Sequence, residues 1–129
     1  MIDPNKKEFS TRSRLKSFVY AFKGIGYLLR TQHNAWIHLG FAILALALGV
    51  CFSISPFEWI LIILCIGIVF AAEAFNTAIE QLCDARFTEY DKRAEIIKDT
   101  AAGAVLIVAI ASAVTGLIIF LPRLIKLFI

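Results

Sequence analysis

Residues 57–84 read FEWILIILCIGIVFAAEAFNTAIEQLCD, and they join a long apolar run to a polar end within one segment. A helix of about 20 apolar residues crosses the hydrocarbon core of a bilayer. The apolar part is long enough to span if the helix continues through Glu73. Charged groups at such a depth are energetically costly and usually functional. The segment therefore predicts a membrane helix with a polar site at one end.

Two further apolar runs flank this segment, at residues 35–54 and 101–121. The chain has 129 residues, of which 60% are hydrophobic and 18% are charged, and its mean hydropathy is +0.80. That is less charge than a soluble domain of this size normally carries. We predict a single all-α integral membrane domain over residues 1–129, with transmembrane helices at 35–54, 57–84 and 100–121.

The N-terminal region has a different pattern, with a polar segment at residues 1–13 followed by an amphipathic one at 14–30. Apolar side chains recur there at steps of three and four residues, namely Leu15, Phe18, Val19, Phe22, Ile25 and Leu29. Such a segment is too short in apolar length to span, so residues 14–30 are predicted to form a helix along the membrane surface.

Positive charge is concentrated on one side of the predicted spans. Seven Lys or Arg residues precede the first span and four lie between residues 85 and 98, whereas the 53–57 link has none and the C-terminal tail has two. The positive-inside rule places the cationic segments on the cytoplasmic side. We predict a multi-pass protein of the inner (plasma) membrane, with the N-terminus and the 85–98 loop in the cytoplasm.

The polar residues of the 57–84 segment fall on one helical stripe. At about 100° per residue, Glu73, Asn76, Glu80 and Asp84 share an arc of about 80°. The helical rise places Glu73 just inside the cytoplasmic edge of the hydrocarbon and Glu80 at headgroup level. Lys98 enters the third span from the same side. A lysine among carboxylates suits a phosphate group with a divalent cation, and a carboxylate can take a proton from an alcohol.

Two other interpretations compete with a reaction centre. Asn and Glu also hold membrane helices together in oligomers. A small ion- or proton-conducting subunit would need polar residues through the whole membrane, and the outer two thirds of each span is apolar. Glu58 is interpreted as structural, because Ser55-Pro56-Phe57-Glu58 has a capping-box pattern.

The stretch EAFNTAIEQLCD at residues 73–84, EY at 89–90 and KDTAAGAVLI at 98–107 closely resemble the small prokaryotic diacylglycerol kinase family, which includes the undecaprenol kinases. The resemblance covers nearly the whole chain, including YAFKG at 20–24 and NAWIH at 34–38. SPFEW at 55–59 and IHL at 37–39 look more like the undecaprenol kinase branch.

This resemblance implies a homotrimer with active sites shared between subunits, which transfers the γ-phosphoryl group of ATP to the hydroxyl of a membrane lipid alcohol and uses Mg²⁺. Glu73 would be the general base, and Gln32 and Glu80 would bind the metal. The implied ATP-binding residues are Ser13, Tyr20, Gln32, Asn76, Glu80, Glu89, Tyr90, Asp91, Lys98 and Asp99. The lipid would lie against Glu73, Trp36 and Ala102. No nucleic acid partner is expected.

Two positions depart from the family pattern. Gln32 stands where the family usually has a second metal-binding glutamate, so charge attraction for the cation is lost. Ser13 stands where the better-known diacylglycerol kinase branch has an arginine. The alternative function is therefore a catalytically weakened family member that serves as a lipid-binding or assembly subunit. The sequence leaves open whether the lipid is undecaprenol or diacylglycerol.

Overall fold

The structure, a computed structural model, describes residues 11–127 and 129; the side chains of residues 12 and 13 lie outside that description. Its four helices are α1 (Thr11–Thr31), α2 (His33–Cys51), α3 (Pro56–Arg86) and α4 (Lys92–Ile125). Among the described residues, α2, α3 and α4 are long and apolar enough to cross a membrane. The prediction of an all-helical chain with three helices able to span a membrane is confirmed. Most of the predicted polar segment 1–13 lies outside the described residues.

Helix α2 ends before residue 54, where the apolar run ends, because its last turn closes in a Schellman motif. Ser53 adopts a left-handed conformation with φ of 47°. Its N–H donates to the Val50 carbonyl, and the Ile54 N–H donates to the Gly49 carbonyl. These bonds satisfy carbonyls that the end of a helix leaves open. The apolar residues after Cys51 therefore form the turn into α3 rather than a further helical turn.

Helix α3 begins with the capping box that the sequence predicts. The Ser55 backbone N–H donates to Glu58 Oε2 at 2.8 Å, and the Glu58 N–H donates to Ser55 Oγ at 3.3 Å. Pro56 occupies the first helical position. Glu58 also pairs with Arg123 near the end of α4, at 2.9 Å. The start of α3 and the end of α4 are thus joined at the same end of the bundle.

Helix α4 begins at Lys92, earlier than the predicted residue 100, and the connection from α3 shrinks from the predicted 85–98 to residues 87–91. The Asp91 side chain accepts a hydrogen bond from the Arg93 N–H at 2.8 Å and caps the helix. Hydropathy did not reveal the first turns of α4 because their side chains are polar. The helix also continues beyond Pro122 to Ile125.

Helix α3 is the central element of the bundle: it packs most extensively against α4, and α1 and α2 also contact it. A small apolar cluster lies near its N-terminal end and consists of Ile54, Ile62, Ile119 and Phe120. Many other large apolar side chains are exposed, as expected of helices whose solvent is lipid. All three other helices therefore contact α3, and His38 of α2 and Lys98 of α4 reach the polar stripe in its C-terminal half.

Candidate active site

Glu73 is the most deeply buried ionisable side chain of the described residues, with 2% of its surface exposed. His38 of α2 lies beside it, with Nε2 at 3.1 Å from Glu73 Oε1. The two atoms are close but not aligned as donor and acceptor, so Oε1 has no hydrogen-bond donor among the described residues. A buried carboxylate without full hydrogen bonding is expensive to maintain, which is a common property of reactive groups.

Glu73 lines a cavity of about 190 Å³. Its polar lining comes from α2 and α3, and its apolar lining comes from α4; the lining residues are Asn34, His38, Glu73, Asn76, Ala102, Val105, Leu106 and Ala109. Asn76 Oδ1 is buried there and has no hydrogen-bond donor among the described residues. A lining that combines polar and apolar side chains suits a ligand with a hydroxyl group on a hydrocarbon.

A larger apolar groove of about 610 Å³ adjoins the cavity. The two share His38 and Ala109. From there the groove runs between α2 and α4, over α3, toward the end of the bundle where Phe120 and Leu124 lie. Its α3 residues all precede Glu73 in the chain, so the groove extends away from the polar end of that helix.

On the other side of Glu73, the Glu80 carboxylate accepts two hydrogen bonds from side-chain amides. Asn76 Nδ2 donates to Oε1 at 3.0 Å, and Gln32 Nε2 donates to Oε2 at 3.3 Å. Gln32 is the extended residue between α1 and α2, and its side chain makes no capping bond. It is therefore free to reach α3. We call Gln32, Asn76 and Glu80 the amide–carboxylate cluster.

The amide–carboxylate cluster fits a hard divalent cation. Each amide presents its carbonyl oxygen in place of its NH₂ group if the side-chain end rotates by half a turn. One carboxylate and two amide oxygens are ligands that Mg²⁺ accepts, and that ion usually takes its remaining ligands from water and substrate phosphates. The described residues contain no group of three or more acidic, His or Cys side chains that would form an all-protein metal site.

Further along α3, Asp84 forms an ion pair with Lys98 of α4. The pair is partly exposed and lies beyond Glu80 toward the polar end of the bundle. Asp99 and Glu89 are exposed and have no recorded hydrogen bond or ion pair in the described part of the chain. Lys98 is thus the cation that α4 supplies at this end of α3.

The connection between α3 and α4 holds three of the predicted nucleotide residues, and two of them, Tyr90 and Asp91, make side-chain hydrogen bonds. The Tyr90 hydroxyl donates to Glu95 Oε2 at 2.5 Å, and this hydrogen bond to a carboxylate raises the pKa of Tyr90. The Arg93 guanidinium donates to both oxygens of Asp91, which lowers the pKa of Asp91 to about 2. Both side chains therefore already have partners within the connection and the first turn of α4.

Of the remaining predicted residues, Tyr20 and Trp36 do not line the cavity. Tyr20 is exposed on α1, where Lys23 Nζ lies 5.8 Å from its ring centroid. Trp36 is 58% exposed and does not line the cavity, whereas Ala102 does. The Ser13 side chain lies outside the described residues.

Sequence reasoning assigned no role to Asn34 or His38, although both line the cavity. The signal was available, because the two residues are four apart in NAWIH and share one face of α2. Asp84 was placed on the stripe without a function, and the structure gives it Lys98 as a partner.

Fold and site together define a helical membrane protein whose buried carboxylate separates an apolar groove from a polar cluster. Residues 19–120 match the prokaryotic diacylglycerol kinase family. An undecaprenol kinase from Bacillus subtilis (strain 168) is 42% identical over 109 residues, which cover 84% of this chain and 89% of that protein. A diacylglycerol kinase from Synechocystis sp. is 34% identical over 116 residues, which cover 89% of this chain and 66% of that protein. The chain therefore belongs to the prokaryotic diacylglycerol kinase family, a family of lipid kinases, as its motifs predicted.

Proposed function

We propose that this protein transfers the γ-phosphoryl group of ATP to the hydroxyl of a membrane lipid alcohol, either undecaprenol or diacylglycerol. One observation carries the proposal: the buried Glu73 carboxylate lies where an apolar groove meets a polar cluster. Asn76 links the two sides, because it lines the cavity and donates to Glu80. The names of the two relatives, an undecaprenol kinase and a diacylglycerol kinase, support the two candidate lipids.

In this mechanism the lipid hydroxyl enters the cavity and its hydrocarbon chain lies in the groove. Glu73 accepts the hydroxyl proton while the lipid oxygen forms a bond to the γ-phosphorus. The bond from that phosphorus to the β,γ-bridging oxygen breaks, and ADP leaves with the electron pair. The proton then passes from Glu73 to water. Such transfers depend mainly on positioning and on neutralisation of charge.

The amide–carboxylate cluster would hold Mg²⁺ through Glu80 and Gln32, with support from Asn76. When bound, the cation neutralises charge on the phosphates of the nucleotide. Gln32 contributes a neutral ligand, so this chain attracts the cation less strongly than a second glutamate would. The proposal therefore includes a requirement for Mg²⁺ at higher concentration than a two-glutamate site would show.

Lys98 is the proposed cationic contact for the nucleotide phosphates, and to make that contact it must exchange Asp84 for a phosphate oxygen. Tyr20 and Trp36 are among the predicted residues that do not line the cavity. A homotrimer with shared sites would bring such exposed residues against a neighbouring subunit. We include that assembly, and α1 as a helix on the membrane surface, in the proposal.

The proposed site lies at the cytoplasmic surface of the inner membrane. Helix α3 has 31 residues and is about 46 Å long at a rise of 1.5 Å per residue. The hydrocarbon core is about 30 Å thick, so roughly 16 Å of the helix extends beyond it. The cationic N-terminus supports placing the polar end of α3, with Glu80, on the cytoplasmic side, where ATP is present.

The direct test is a phosphorylation assay with purified protein, labelled ATP and Mg²⁺. Undecaprenol, diacylglycerol and a sphingoid base are supplied side by side in mixed micelles. We expect label in the lipid phase with undecaprenol or diacylglycerol. ATP turnover without lipid product, or no turnover with any lipid, would contradict the proposal and favour a lipid-binding or assembly subunit.

A second test examines the groove. Gly116 lines it, and open space lies where its Cβ would stand, so we use Gly116→Leu to fill part of the groove. The hydrocarbon chain of the lipid, if the new leucine displaces it from the groove, returns to the bilayer rather than to water. Only packing contacts of about 0.1–0.2 kcal/mol each are therefore lost. A total near 1 kcal/mol raises the lipid KM roughly fivefold. Gly67→Leu is the control, because Gly67 is exposed on α3, also faces open space and does not line the groove. Equal lipid KM values in the two variants would contradict this placement of the chain.

A further inference from the structure

His38 lies on the face of α2 that packs against α3. Ala35 and Ala42, about one turn to either side of it, are buried. Small residues at these positions let the two helices approach closely. The His38 side chain therefore reaches Glu73 with only 20% of its own surface exposed.

The surroundings of Glu73 provide few other groups that can donate to its carboxylate. No Lys or Arg side chain among the described residues lies within ion-pair distance of it. Thr77 donates to the backbone carbonyl of Glu73 and not to its carboxylate. The His38 Nε2 atom, at 3.1 Å from Oε1, is the nitrogen best placed to orient this oxygen.

We infer that His38 is a positioning residue for the proposed base, an inference that rests on the proposed lipid kinase function. With its proton on Nε2, the imidazole turns into line when both substrates are bound and donates to Glu73 Oε1. Hydrogen bonds of catalytic groups are often misaligned without substrate and improve in the reacting complex. Fixing Oε1 in this way holds the carboxylate so that its second oxygen faces the lipid hydroxyl in the cavity.

His38 also lines both the cavity and the groove, so a replacement must preserve its apolar packing. His38→Leu keeps comparable bulk and removes the N–H donor. His38→Gln retains an amide N–H near the place of Nε2. His33→Leu is the matched control, because His33 is an exposed histidine on the same helix and lines neither space.

The experiment measures kcat and lipid KM for the four proteins with the lipid that the wild type phosphorylates. We expect His38→Leu to lower kcat by about 10- to 100-fold, the usual loss when a partner that orients a site residue is removed. The lipid KM should change by less than about threefold, because leucine keeps the bulk of the side chain that lines the groove. His38→Gln should recover most of the lost kcat, and His33→Leu should match the wild type.

A double-mutant comparison separates positioning from packing. If His38 acts through Glu73, adding His38→Leu to Glu73→Gln causes no further loss of the residual rate. A wild-type kcat in His38→Leu would overturn the inference. So would equal losses in His38→Leu and His38→Gln together with a lower melting temperature, which would indicate packing alone. A wild-type protein with no lipid kinase activity overturns the proposed function first and this inference with it.

Discussion

Glu73→Gln is the substitution that best separates catalysis from stability in this fold. It replaces a buried carboxylate by an amide of nearly the same volume, so the cavity should keep its shape. Loss of a general base typically lowers a rate by about 10²- to 10⁴-fold. Binding of ATP and Mg²⁺ should change little, because Glu80 and its two amide donors are untouched.

The same change should make the protein more stable. Glu73 Oε1 is buried without a hydrogen-bond donor among the described residues, and burial penalises a charged group more than a neutral one. We expect Glu73→Gln to raise the free energy of unfolding by about 1 kcal/mol, because a buried neutral amide without a partner costs less than a buried carboxylate without one. Activity and stability then change in opposite directions, which a damaged fold would not produce.

Lipid phosphorylation in mixed micelles and thermal unfolding in detergent measure the two effects. Glu58→Gln is the matched control, since it makes the same chemical change at the other end of α3. Glu58 caps α3 and pairs with Arg123, so this variant should lose stability and retain activity. Full activity in Glu73→Gln would refute the assignment of the base. A lower melting temperature in Glu73→Gln would refute the account of its buried charge.

Three further outcomes are expected. Gln32→Glu should lower the Mg²⁺ concentration for half-maximal activity, because a second carboxylate joins Glu80; an unchanged Mg²⁺ titration would place residue 32 outside the metal shell. Gly49→Ala should destabilise the fold by about 1 kcal/mol, measured by unfolding in detergent. The added Cβ would lie 2.7 Å from the Trp59 ring, and the cost of overpacking, about 1–3 kcal/mol, exceeds the gain in helix propensity of about 1 kcal/mol. Unchanged stability would contradict the tight contact. Asp91→Ala should lower the melting temperature more than Asp91→Asn, which can still cap α4. Because the pKa of Asp91 is lowered to about 2, the ionised side chain stabilises the fold at pH values above its ordinary pKa of 3.8, and this stabilisation is lost as pH falls through about 2. Equal melting temperatures for wild type and Asp91→Ala at neutral pH would contradict this contribution of Asp91 to stability.

The membrane helices could be predicted because the apolar runs are long and the capping residues are local in sequence. Ser55 and Glu58 lie three residues apart, so their mutual hydrogen bonds follow from helix geometry alone. The C-terminal end of α2 and the N-terminal end of α4 could not be placed in the same way. Hydropathy reports contact with lipid, whereas the left-handed Ser53 and the Asp91 cap are set by backbone hydrogen bonding.

The polar stripe of α3 could also be predicted, since the positions of Glu73, Asn76 and Glu80 depend only on the helical period. Contacts between helices could not. The approach of His38 to Glu73 depends on how far α2 is shifted along α3, and no periodicity within one helix fixes that shift. Roles that depend on nucleotide, metal or a neighbouring subunit remain predictions.

Helices α2 and α4 share little or no direct contact, and the apolar groove over α3 lies between them. A lipid could slide sideways to Glu73 without passing through water. The encounter rate would then follow the mole fraction of the lipid within the membrane rather than its bulk concentration. Adding inert lipid while the amount of substrate lipid is held constant lowers the mole fraction of the substrate and should slow the enzyme. Adding water lowers only the bulk concentration of the substrate and should not slow it.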